Sequence, residues 1–211
     1  MIKAVIFDWD GTLADSLKYH YAAYKVALEP YMKLKPGDIY KREGGKSMDI
    51  ISDLLRNVQI DEYEMKRIVE RKQKYYKYNA VSIRMLPGGR KLIENLRKLN
   101  FKIGLATGTH REGLMMSLKE DEVGLFDYIL TADETKKAKP DPEPYINCMK
   151  ALDVRPEETV VIENAPLGVE SAKSAGCLCV AITSTVKKED LKRADFVVGS
   201  LDEVGDIIKS L

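Results

Sequence analysis

Residues Met1–Ser16 read MIKAVIFDWDGTLADS, an apolar run that ends in Asp8 and Asp10 with Gly11 behind them. Ile2, Val5, Ile6 and Phe7 leave no polar face, and Lys3 lies near the open end. That is the pattern of a central parallel strand covered on both sides. Asp8 and Asp10 fall where such a strand stops, and Gly11 begins a turn. Two carboxylates at the mouth of a buried strand repel each other and lose hydration, which is costly unless a cation compensates. The opening stretch therefore predicts both a buried sheet and a metal at its end.

From about Leu86 onward, short apolar runs alternate with amphipathic stretches. FKIGLAT precedes a helical pattern from Arg111, FDYILTA one from Pro142, TVVIE one from Pro166, CLCVAIT one from Lys187 and ADFVVG one from Leu201. Strands alternating with helices give an α/β fold, a doubly wound, Rossmann-like parallel sheet with helices on both faces. Between Ser16 and about Val81 no strand pattern is present. LKYHYAAYKVALEPY and EYEMKRIVERKQKYYKY are amphipathic helices, the first capped by Ser16 and ended by Pro30. The expected organisation is a catalytic core of residues 1–15 and 82–211 interrupted by a helical cap of residues 16–81, with Pro87 starting a helix where the chain returns.

Lys and Arg total 34 against 33 Asp and Glu, a net charge of +1 that speaks against a general nucleic-acid or membrane-surface binder. No apolar run approaches the roughly 20 residues needed to span a bilayer. A strand that starts at Met1 leaves no room for a signal peptide. Cys148, Cys177 and Cys179 have neither zinc-ligand spacing nor an even count, and read as small buried hydrophobes in a reducing compartment. The expectation is a cytoplasmic protein, a monomer or weak homodimer, whose partner is a small molecule.

Ligands of doubly wound sheets bind at the carboxyl ends of the strands, near the point where strand order reverses. Those ends carry Asp8 and Asp10, Thr107 after KIGLA, Lys139 beyond YILTA, and Glu163-Asn164 after VVI. Such a set suits cleavage of a phosphate ester. One carboxylate attacks phosphorus, and a second exchanges a proton with the leaving oxygen and then with water. A hydroxyl and an ammonium hold the phosphoryl oxygens, while Mg²⁺ takes oxygen ligands.

DWDGTLADS, ATGT, KAKPDPEPY and VVIENAPLGVESAKSAG resemble, in this order, the four motifs of the haloacid dehalogenase superfamily of phosphohydrolases. The resemblance covers essentially the whole chain and includes the position of the cap. It implies Asp8 as the nucleophile that becomes an aspartyl-phosphate, and Asp10 as the general acid/base. It also implies phosphoryl binding by Thr107 and Lys139, helped by the amides of Trp9, Gly11 and Gly108. Mg²⁺ would be held by Asp8, Asp10 (through its carbonyl), Glu163 and Asn164, with the direct ligand of the last pair left open. Relatives with this cap type usually read Glu-Asp where this chain reads Glu-Asn, which implies weaker Mg²⁺ binding.

In the cap, His20 either faces the cleft or is a satisfied structural histidine. Gly45 and Lys46 in REGGKSMD belong to a loop reaching toward substrate, and Lys72 is placed near the cleft. The function implied is a Mg²⁺-dependent phosphatase of a small phosphorylated metabolite. The alternative is a phosphosugar mutase like β-phosphoglucomutase, whose cap arginine is replaced here by Ser47 beside Lys46. A catalytically silent phosphate-binding protein is a remote third reading.

Overall fold

In the computed structural model, which describes residues 1–211, the strands are Ala4–Phe7 (β1), Lys102–Ala106 (β2), Tyr128–Leu130 (β3), Thr159–Glu163 (β4), Leu178–Ile182 (β5) and Phe196–Val198 (β6). They form one parallel sheet in the order β3-β2-β1-β4-β5-β6. The order reverses at β1, which has β2 on one side and β4 on the other. Phe7 lies opposite Leu105 and Ile162, so these three strands finish level with one another. Asp8, Thr107 and the Glu163-Asn164 pair thereby meet at the switch point.

The four helices between β1 and the rest of the sheet are Leu17–Leu28 (α1), Pro36–Tyr40 (α2), Ser47–Leu54 (α3) and Glu62–Ala80 (α4). They enclose their own apolar cluster, built from Tyr24, Leu28, Ile39, Ile50, Ile51 and Ile68 among others. On α4 the buried residues are Ile68, Lys72, Tyr76 and Ala80, one every fourth position. That spacing lines one helix face. Lys72 is carried inward on the stripe that packs the cap, and Tyr76 and Ala80 continue it into the main core.

The core helices are Gly89–Lys98 (α5), Arg111–Ser117 (α6), Glu120–Val123 (α7), Glu143–Leu152 (α8), Pro166–Ser174 (α9) and Leu201–Ser210 (α10). Side chains alternate across the sheet as a strand requires. Val5 and Phe7 join Leu92, Ile93, Val204 and Ile208 on one face, whereas Ala4 and Ile6 join Tyr145, Cys148, Val169 and Ala172 on the other. All three cysteines are buried free thiols. No helix is long and apolar enough to cross a membrane.

Several local expectations are corrected. The first strand starts at Ala4, not Met1. Ser16 precedes α1, yet its hydroxyl caps no amide and donates instead to Asp10 Oδ1 at 2.7 Å. The helix expected from Lys187 is a single 3₁₀ turn, Lys188–Leu191. The helix expected to start at Pro87 begins at Gly89, behind Gly88 in the left-handed region.

Gly104 in β2 has no room for a side chain: a Cβ there would sit 2.7 Å from Cys148 Sγ and 3.0 Å from Leu152 Cδ1. Gly104→Ala forces α8 away from the sheet and is expected to cost about 1–3 kcal/mol. Gly124→Ala, where nothing lies within 4 Å of the new carbon, is expected to change stability by less than about 0.5 kcal/mol. Urea unfolding of both variants checks the contrast.

Candidate active site

Lys139, between β3 and α8, is buried with its ammonium directed at the strand ends. It donates to Asp8 Oδ1 at 2.7 Å, Glu163 Oε1 at 2.6 Å and the Ala106 carbonyl at 3.2 Å. Tyr145 adds a hydroxyl on Glu163 Oε1 at 2.7 Å, with its ring 4.9 Å from the ammonium. Glu163 Oε2 accepts from the amides of Asn164 and Ala165. Burial pulls the lysine down, but the Asp8 and Glu163 charges prevail and hold it above its ordinary range. Burial pushes the Asp8 carboxyl well up against the pull of Lys139, with Glu163 and Asp10 adding to the rise.

Asp10 is the second node. Its Oδ1 accepts from Ser16 (2.7 Å) and Tyr76 (3.4 Å) and lies 2.9 Å from His20 Nε2, while Oδ2 accepts from Thr107 (3.0 Å) and Thr109 (2.8 Å). Burial raises this carboxyl, but His20 and the surrounding donors outweigh it, and the group is held well below the usual carboxylate range. His20 is buried, stacks on Tyr76 at 4.1 Å and has Lys72 Nζ 3.3 Å from Nδ1. Lys72 donating to Nδ1 leaves Nε2 as the donor to Asp10. His20 and Lys72 thus reach the acid/base position through Asp10.

The cap loop between α2 and α3 lies directly on this floor. A Cβ at Gly44, whose φ is +89°, would sit 2.9 Å from Lys139 Cδ, and one at Gly108 would sit 3.0 Å from the Gly44 carbonyl. The expected loop contact, Gly45, instead faces Arg42 and Ile50 within the cap. Lys46 donates to the carbonyls of Thr135 (3.0 Å) and Lys136 (2.6 Å), tying cap to core. Glu43, which the sequence reading passed over, is 8 % exposed, and burial pushes its carboxyl up. Its carboxylate, that of Asp10 and the His20 ring have donor atoms within 4.8 Å of one another. Beside them opens a cleft of about 720 Å³ lined by Lys72, Gln73, Tyr76, Gly108, Thr109 and His110, among others.

Of the three amides expected to bind phosphoryl oxygens, Gly11 is spent within its turn, donating to Ala14 at 2.9 Å. Gly11 contributes instead a φ of +84° and the absence of a side chain where Asn164 packs. The amides of Trp9 and Gly108 have no main-chain acceptor.

Two donor sets can be weighed for a cation. Asp8 Oδ2 is buried without a partner, the Asp10 carbonyl stands in the same turn, and Asn164 Oδ1 accepts only from Thr12, at 2.9 Å. These are neutral and anionic oxygens with free lone pairs, and they fit a hard divalent ion. Glu163 fits less well, because Lys139, Tyr145 and two amides already occupy its oxygens. The Asp10–His20–Glu43 group is the second set. There the ring nitrogens already bond Asp10 and Lys72, so an ion would have to displace an ammonium.

A family model described as haloacid dehalogenase-like hydrolase matches residues 5–182, which contain every residue of this site. The chain belongs to that family. It is 34 % identical over 180 residues to the phosphorylated carbohydrates phosphatase of Thermotoga maritima, covering 83 % of this chain and 82 % of the relative. It is 30 % identical over 189 residues to the β-phosphoglucomutase of Bacillus subtilis, covering 86 % and 83 %. The crystal structure of β-phosphoglucomutase from Clostridium difficile superposes with a TM-score of 0.87 at 29 % identity, covering 100 % of this chain and 96 % of that one. As a member of the family with phosphatases among its relatives, the protein is a phosphoric monoester hydrolase.

Haloacid dehalogenase-like members share the strand-end motifs, and those were readable here; Ser16, Glu43, Tyr76, Thr109 and Tyr145 were not. Thr109 carried a usable signal, since ATGT places two hydroxyls two residues apart after a strand. Removing the lysine of this family site tests its electrostatics. Lys139→Met leaves Asp8 and Glu163 buried without a counter-charge and is expected to destabilise by about 3–5 kcal/mol. Adding Glu163→Gln should recover part of that loss, as read by denaturant unfolding in the presence of chelator.

Proposed function

We propose that the protein is a Mg²⁺-dependent phosphatase that hydrolyses the phosphate monoester of a small metabolite through an aspartyl-phosphate on Asp8. The observation that carries this reading is Asp8 itself. Lys139 holds one carboxylate oxygen, and the other is buried and unpartnered, so it is free to attack. In this reading the core comprises residues 1–15 and 82–211 and the cap residues 16–81.

The free amides of Trp9 and Gly108, with Lys139 and the Thr107 hydroxyl, receive the phosphoryl oxygens. Asp8 bonds to phosphorus as the ester oxygen leaves, and Asp10 supplies the proton to that oxygen. Asp10 then takes a proton from water as water attacks the acyl-phosphate and regenerates Asp8. When bound, Mg²⁺ supplies positive charge that draws the anionic ester toward Asp8. Asp8, the Asp10 carbonyl and Asn164 would hold it, and Glu163 acts through Lys139. The cap shields this chemistry from bulk water. Low net charge and buried thiols support a cytoplasmic monomer or weak homodimer with no nucleic-acid or membrane partner.

The likeness to β-phosphoglucomutase favours a second reading, a phosphosugar mutase. The cap counts against it. Arg42 pairs with Asp53 and the Asp38 carbonyl, Lys46 is taken by two core carbonyls, and Ser47 carries no charge. No cap cation is then left for the second phosphate of a bisphosphate.

Phosphate release from a panel of small esters, with Mg²⁺ and with chelator, tests the reading. Metal-dependent release that Asp8→Asn abolishes is the expected result; activity only with an added sugar bisphosphate would replace it with the mutase. Asn164→Asp restores one ligand charge and is expected to tighten Mg²⁺ about tenfold, read both by the Mg²⁺ dependence of turnover and by metal-dependent thermal stability.

A further inference from the structure

Glu43 is the one buried carboxylate near the reacting centre that the chemistry above leaves without a task. Asp8 and Glu163 share Lys139, and Asp10 is surrounded by hydroxyls and His20. Glu43 Oε2 is sealed from solvent and has no partner. Lys72 Nζ, a cation near enough to matter, contacts His20 Nδ1 instead. A buried, unpaired carboxylate oxygen is destabilising, so packing does not explain this residue.

Its position indicates what it meets. Gly44, the next residue, rests on the Lys139 stem, which fixes the start of the cap loop against the catalytic floor. The Glu43 carboxylate has an oxygen within 4.8 Å of an Asp10 carboxylate oxygen. Asp10 serves the ester oxygen, so a cap group beside it faces the first carbons of the leaving alcohol rather than the phosphoryl oxygens.

An ionised carboxylate accepts and does not donate, so it selects a donor. A second phosphate or carboxylate would be repelled by Glu43 and Asp10 together. An ammonium would enter among Lys72, Lys139 and His20, which already crowd the spot. A neutral hydroxyl remains. Resting on the phosphatase reading, we propose that Glu43 is a specificity-determining residue that accepts a hydrogen bond from a hydroxyl on the carbon next to the phosphorylated one, so that the enzyme selects phosphate esters of vicinal polyols.

The test compares glycerol 1-phosphate with 3-hydroxypropyl phosphate, which lacks only the middle hydroxyl, and with phosphoethanolamine, which presents an ammonium there. p-Nitrophenyl phosphate reports the phosphatase chemistry without such a group. Wild type is expected to favour glycerol 1-phosphate over both analogues by about tenfold or more in kcat/KM, carried mainly by KM. Glu43→Ala should bring glycerol 1-phosphate down to the level of 3-hydroxypropyl phosphate, and Glu43→Gln, which keeps an acceptor oxygen, should retain part of the preference.

Equal rates on the glycerol and hydroxypropyl esters in wild type, a preference for phosphoethanolamine, or a preference that survives in Glu43→Ala overturns the assignment. So does cleavage of the aryl ester with none of the others. Cleavage of no ester, the aryl one included, overturns the phosphatase reading and the assignment with it. Glu43→Ala is also expected to melt at or above the wild-type temperature, because it removes an unpaired charge. A fall of about 5 °C or more would mark a structural residue and overturn the proposal.

Discussion

The ammonium of Lys139 is the constraint on which the catalytic end of the sheet depends. Its three hydrogen bonds reach the ends of β1, β2 and β4, and Tyr145 of α8 closes around the same carboxylate. Two buried acids on neighbouring strands could not otherwise stand so close, since each would lose hydration and gain a like-charged neighbour. The cap uses the same side chain from above, with Gly44 packed on its aliphatic stem. One lysine therefore fixes the nucleophile, orients Glu163 and supplies the surface on which the cap loop lands.

Asp10 plays the corresponding part between the two halves of the chain. Ser16, His20 and Tyr76 approach it from the cap side, and Thr107 and Thr109 from the core. Its carboxylate is stabilised as the anion by partners that stay together only while cap and core are apposed. Under the proposed mechanism, moving the cap changes the donors on the proton-transfer group. Closure over a substrate and the acidity of Asp10 are then linked without any further element.

The strand-end residues were legible because one physical rule governs them. A strand buried on both faces must be apolar to its end, so the first polar residues after it mark the site, and parallel register brings those ends level. Asp8, Thr107 and Glu163 follow from that rule. The local role of Ser16 did not, because a hydroxyl before a helix has a nearby amide to cap and the sequence does not display a distant carboxylate competing for it. The task of Glu163 was hidden for the same reason: its partners Lys139 and Tyr145 lie 24 and 18 residues away. Glu43 precedes a glycine pair in a loop without periodicity, where neither a helical nor a strand repeat says which way a side chain points.

The departure at Asn164 becomes intelligible when the buried charges are taken together. Asp8, Asp10, Glu43 and Glu163 are the buried acids of the site, and Lys72 and Lys139 its buried lysines. Formally two negative charges remain, the charge of one divalent cation. An aspartate at 164 would have left three, in a region where uncompensated charge is expensive. Glu43 and Asn164 are thus two parts of one electrostatic balance: the acid gained by the cap is offset by the acid missing from the metal-binding turn. On this view the amide at 164 is the condition under which the cap can present a carboxylate to the leaving group while the core still accommodates a divalent ion.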